Sequence, residues 1–126
     1  MATVTPTPSR DIGSGDGSVI SFTWVLTSAN ADGTPFDFAE HADVTWTATG
    51  TWGGATLKVQ GSADGSTFPA TGLSNAAGGA EASAAADKNF ATIERPRYLR
   101  PILTTVGAGA TITVTALARR ATPLRT

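Results

Sequence analysis

No cysteine occurs in these 126 residues, which excludes a disulfide framework, a thiolate metal site and a cysteine nucleophile. Histidine occurs once, at His41, and Lys58 and Lys88 are the only lysines. Charged residues make up 15% of the chain, against about 25% in ordinary globular proteins. The surface must therefore be covered largely by Thr, Ser, Gly and Ala. Charge repulsion protects such a surface poorly, which suits a protein packed in an assembly. No apolar run approaches the ~18 residues of a membrane-spanning helix, and "MATVTPTPSRD" has neither a basic nor an apolar leader region. The expectation is a protein with no membrane partner, made and kept in the cytoplasm or released only by lysis.

The signatures of catalysis are missing too. There is no GxSxG, no GxxxxGK[ST], and no GxGxxG between a strand and a helix, so an enzyme and a bound cofactor are both unexpected. His41 stands in "FDFAEHADV" near Asp37, Glu40 and Asp43, where a metal site or a carboxylate-assisted general base can be imagined. One imidazole without a second nitrogen ligand or a ligand spacing favours an exposed loop histidine instead. Asp11 and Asp16 in "DIGSGDGS" have the look of a calcium loop but lack its bidentate acid, and a flexible turn is the simpler reading.

What is present suits a single sheet-rich domain. A chain of this length buries roughly two thirds of its unfolded surface in one core, and apolar residues are 40% of it. The net charge of −1 conceals a split, from about −7 over residues 1–87 to about +6 over residues 88–126. Neighbouring strands can neutralise one another, or a basic face can meet an acidic partner. Phosphate contacts by Arg95, Arg97 and Arg100 beside the Tyr98 ring would suit a nucleic-acid binder. The near-neutral total and the scarcity of lysine argue against that, and no nucleic-acid partner is expected.

Residues 1–18 carry too few large apolar groups to fold alone and read as an extended arm, with Pro6 and Pro8 favouring a straight backbone. From Val19 the period becomes two. Ile20, Phe22, Trp24 and Leu26 alternate with Val19, Ser21, Thr23 and Val25. The same pattern returns at "DVTWTATG", "TLKVQG" and "TITVTALAR". "FDFAE", "NFATIE" and an interrupted "YLRPILTT" bring the count to about seven strands. Glycines in "SGDGS", "NADGT", "TWGG", "SADGS" and "VGAGA" mark turns. "SANADGTPF" and "QGSADGSTF" read as two hairpins built alike, and "GLSNAAGGAEASAAADK" as mostly loop. The fold class expected is all-β, a single antiparallel β-sandwich or jelly roll of about seven to eight strands. The arm spans 1–18, the sandwich 19–120 and a tail 121–126.

"TWGGATLKVQGSADGSTF", "IERPRYLRPIL" and "GAGATITVTALARR" resemble segments of small virion proteins of tailed bacteriophages. In that group "W-G-G/S-A" leads into "Q-G-S-x-D-G-x-x-[WF]", and "x-P-R-Y-[IL]-R-P" precedes a C-terminal "T-[IV]-T-V" strand. The likeness covers roughly residues 44–120 and leaves out the arm and Phe36/Phe38. It implies a β-sandwich structural protein of the particle, such as a head decoration or cement protein, with no catalytic role. The major capsid protein is then the expected partner, with self-association as a homotrimer, on the capsid surface of a virion assembled in the host cytoplasm.

On this reading Pro96 and Pro101 frame a short edge segment with Tyr98 and Leu99 packed inward. Arg95, Arg97 and Arg100 there block promiscuous pairing and offer planar donors to a partner's carboxylates. The same arginines can instead bridge to Asp43, Glu40 or Glu81 within the chain. Partner-binding candidates are Pro6, Pro8, Arg10, Trp52, Phe68, Arg95, Arg97 and Arg100. An alternative keeps the virion but makes the domain a tail or fibre module, with Trp24, Trp46 or Trp52 stacking on host-surface carbohydrate.

Overall fold

The structure, a computed structural model, describes residues 3–4, 7–8, 19–38, 43–76, 80–94, 96–105 and 109–119. Eleven strands lie in them: β1 Thr3–Val4, β2 Thr7–Pro8, β3 Val19–Thr27, β4 Asp32–Gly33, β5 Phe36–Asp37, β6 Asp43–Thr51, β7 Thr56–Ser62, β8 Ser83–Ala84, β9 Lys88–Ala91, β10 Tyr98–Thr105 and β11 Thr111–Arg119. No helix occurs among the described residues. All seven expected strands are present. The others, β1, β2, β4 and β8, are two residues long and too short to show a period.

The strands form two sheets. One has the order β1-β4-β10-β7-β8, with β5 also on β10; the other runs β2-β3-β11-β6-β9. Every pairing is antiparallel except β1 with β4. The expected β-sandwich is therefore the fold. Alternation decides what it buries. Phe22, Trp24 and Leu26 of β3, Val44, Trp46 and Ala48 of β6, and Ile112, Val114 and Ala116 of β11 turn inward. Leu57 and Val59 of β7 and Leu99 and Leu103 of β10 face them from the other sheet. Rings dominate one end of this core, with Trp24 stacked on Trp46 at 5.9 Å and Phe22 edge-on to Phe38 at 5.3 Å.

Two expectations need correction. The paired Asp-Gly segments are not twin hairpins. "SANADGTPF" carries the chain from β3 in one sheet to β4 and β5 in the other, whereas "QGSADGSTF" opens a long excursion that returns to the same sheet as β8. Turn residues specify where the backbone reverses, but not which sheet receives the next strand.

The second concerns the prolines. The segment after Pro96 is not an edge: β10 lies inside its sheet, with β7 on one side and β4 and β5 on the other. Pro101 is accommodated because that second side is broken. β5 pairs with Tyr98 and Leu99, β4 resumes at Ile102, and Thr34 and Pro35 between them are unpaired. The Leu103 N–H donates to Ala31 O on that same side. By alternation the Pro101 nitrogen points to that same side, where the β10–β4 ladder pairs only Ile102 with Asp32 and asks for no donor at Pro101. Its ring rests on Gly33, where a Cβ would lie 2.7 Å from Pro101 Cδ, so only glycine fits. Leu99 packs inward as expected. Tyr98, one residue earlier, takes the outer face.

The arm is extended where described, but it lies on its own domain. β1 runs beside β4 in one sheet, and β2 pairs with Phe22 and Thr23 of β3 in the other.

Candidate functional site

Two outer faces compete for a functional role. On the five-stranded sheet, register sets Thr27, Thr111 and Thr51 in one row, Val25, Thr113 and Thr49 in the next, and Thr23, Thr115, Thr47 and Asn89 in a third. β-Branched threonine suits a pleated surface, and here it makes a face almost free of charge. Thr47 Oγ1 donates to Asn89 Oδ1 at 2.6 Å, and the Thr23 and Thr115 hydroxyls lie 3.3 Å apart. Val25 and Leu117 project from it, 45% and 36% exposed. Its charges are at one end, where Arg119 stands 3.9 Å from Asp43, an exposed pair that contributes little to stability.

The six-stranded sheet carries the basic segment on its outer face. Cross-strand register places Tyr98 opposite Ser62, Arg100 opposite Gln60 and Ile102 opposite Lys58. Arg100 donates through Nε and Nη2 to Gln60 Oε1, at 3.1 and 2.8 Å, and the Phe68 ring covers it with Cζ 4.2 Å from the centroid. Arg97 spends both Nε and Nη2 on Asp37 Oδ2, at 3.0 and 2.8 Å, and that contact raises its pKa further. Lys58 pairs with Glu81 at 3.3 Å. The Glu81 carboxyl accepts the Gly72 N–H and, with Lys58 also helping, is held below its ordinary value.

Of the predicted site residues, the structure thus brings Phe68 and Arg100 together. It neutralises Arg97 within the chain, though against Asp37 rather than Asp43, Glu40 or Glu81. Trp52 is apart from them, half-buried, with its indole N–H donating to Asp87 Oδ1 at 2.9 Å. Pro8 lies in β2. Pro6, Arg10, Arg95 and His41 lie outside the described residues. The partners Gln60, Asp37 and Asp87 are not legible in the sequence, because each lies 35 to 60 residues away and only the fold brings it near. Trp24 and Trp46 are fully buried and cannot stack on a sugar.

The loop that delivers Phe68 is fixed by Asp64. Its Oδ1 accepts the Ser66 and Thr67 N–H groups at 2.8 and 2.9 Å and the Ser62 hydroxyl at 2.7 Å. These bonds hold its carboxyl far below the ordinary 3.8. A carboxyl lowered in this way stabilises the fold fully above its ordinary value and loses that contribution as pH falls through the folded pKa. Asp64→Asn is therefore expected to melt below wild type at neutral pH, with the gap closing as pH drops below 3.8. Melting curves across that range check it, and a gap independent of pH would count against the ionised carboxylate.

No family model matches this chain, and no curated protein matches it. Among solved structures, that of the SPBc2 prophage-derived protein YomS is similar, with a TM-score of 0.53 and 13% sequence identity. The match covers 87% of this chain and 98% of that one, so the likeness is one of fold over nearly the whole domain.

Proposed function

We propose that this protein is a non-enzymatic structural component of a tailed-phage particle that decorates the head and stabilises it by binding across joints between shell subunits, as a trimer. The observation that carries the reading is the chain-long likeness of its sandwich to a prophage-derived protein. The resemblance of residues 44–120 to small virion proteins supports the same assignment. So does a surface of low charge, with a threonine face suited to lying against another protein. The mechanism is mass action. A protein that binds only the mature lattice stabilises that lattice, and joining weak contacts in one trimer multiplies their affinity. Burial of Trp24 and Trp46 removes two of the three rings on which a carbohydrate-binding fibre module would depend.

Quantitative mass spectrometry of purified particles, against the major shell protein, tests the assignment. A copy number comparable with that of the shell subunits is expected. A handful of copies would move the protein to the tail or a fibre, and its absence from particles would overturn the viral reading.

A further inference from the structure

Arg100 differs from every other cation described on its sheet. Lys58 has Glu81 and Arg97 has Asp37, but Arg100 has no carboxylate within ion-pair distance among the described residues. Its cross-strand neighbour is Gln60, a neutral acceptor in a position where a glutamate would have closed an ion pair. One edge of the guanidinium, Nε and Nη2, is satisfied by Gln60 Oε1. One face is covered by Phe68. The Nη1 edge donates to no described residue.

The nearby acids do not reach it. Asp64 is bound to its own turn, Asp37 to Arg97 and Glu81 to Gly72 and Lys58. Asp32, opposite Ile102 in the next row, makes no ion pair among the described residues. The result is a half-buried, uncompensated positive charge whose orientation is fixed by a hydrogen-bonded amide and a stacked ring. Fixing a long side chain beforehand removes the ordering cost that a surface arginine meets on binding. A planar guanidinium with a free edge is suited to a carboxylate.

We propose that Arg100, held by Gln60 and Phe68, is a receptor for an aspartate or glutamate side chain on a protein partner. On the decoration reading above, that partner is the shell. A nucleic-acid backbone presents a run of phosphates and calls for several free cations, whereas Lys58 and Arg97 on this sheet are already paired with carboxylates and leave Arg100 alone.

The probe is a fluorescein-labelled deca-glutamate peptide, followed by fluorescence anisotropy at low salt with the full chain. Wild type is expected to bind and Arg100→Gln to bind about tenfold more weakly, the loss of one charge-assisted contact. Arg119→Gln, which removes an exposed cation on the other sheet, should bind as wild type does. Arg100→Lys keeps the charge but not the fork, so it should also lose affinity, and it decides the matter should Arg100→Gln fail to melt cooperatively. Deca-glutamate bound equally by wild type and both Arg100 variants would overturn the proposal. So would an Arg100-dependent affinity for single-stranded DNA that exceeds the affinity for the peptide. Reattachment of the protein to particles stripped of it separates this site from the functional reading. Arg100-dependent peptide binding without reattachment upholds the site while removing the shell as its target.

Discussion

Replacing Gly50 by alanine is expected to destabilise the domain by about 3 kcal/mol or more, through backbone strain and a main-chain clash together. Gly50 is the eighth residue of β6, beside Ile112 of β11, with φ at 144°, a conformation that L side chains rarely adopt. A Cβ there would lie 2.2 Å from the Thr111 carbonyl oxygen. That oxygen belongs to a strand bonded on both sides, so it cannot withdraw without opening the β6–β11 ladder. The Gly50 N–H also donates to Asp87 Oδ1 at 3.0 Å, and Asp87 holds the Trp52 indole, so a shift at Gly50 would pass to that ring as well. Urea denaturation measures the loss. A change under about 1 kcal/mol, no more than an average point substitution costs, would show that the ladder yields to the added methyl group.

Trp24→Ala is expected to cost about 4 kcal/mol, the range for emptying a large aromatic site in a packed core. Trp24 is fully buried, stacks on Trp46 and donates its indole N–H to Thr34 O at 3.0 Å. Truncation thus opens a cavity and strips a carbonyl of its donor. Comparing phenylalanine at the two tryptophan positions separates these effects. The Trp46 indole N–H is buried without a partner among the described residues, so Trp46→Phe forfeits no hydrogen bond. Trp24→Phe should therefore cost about 1 kcal/mol more than Trp46→Phe. Equal losses in denaturant titrations would mean that the Thr34 bond adds nothing.

Much of this architecture is legible in period-two alternation. The inward residues of β3, β6, β7 and β11 are those that alternation selects, because one face of each strand is buried and a slip of one residue would expose all of them. Pairing is another matter. Nothing local in "RPRYLRPIL" indicates that Pro101 lies inside a sheet, since the tolerance comes from a gap between β4 and β5 some seventy residues earlier. Nor does the sequence connect Arg100 to Gln60 forty residues away, although that contact turns a charged surface residue into an oriented one. Three arginines crowded into six residues suggest a common role. The fold gives Arg97 and Arg100 different ones by giving them different neighbours, Asp37 and Gln60.

The place of β11 in the five-stranded sheet also orders events in time. It is the last strand described, yet it lies between β3 and β6 and pairs with all nine residues of each. A chain leaving the ribosome has made both neighbours long before this strand emerges. Until then the two strands carrying Trp24 and Trp46 lack the partner that joins them. Folding of this domain consequently waits for β11, is dominated by contacts distant in sequence and is slow for its size. Until β11 arrives, the nascent chain exposes the edges of two apolar strands that it will cover, the interval in which aggregation competes most strongly with folding.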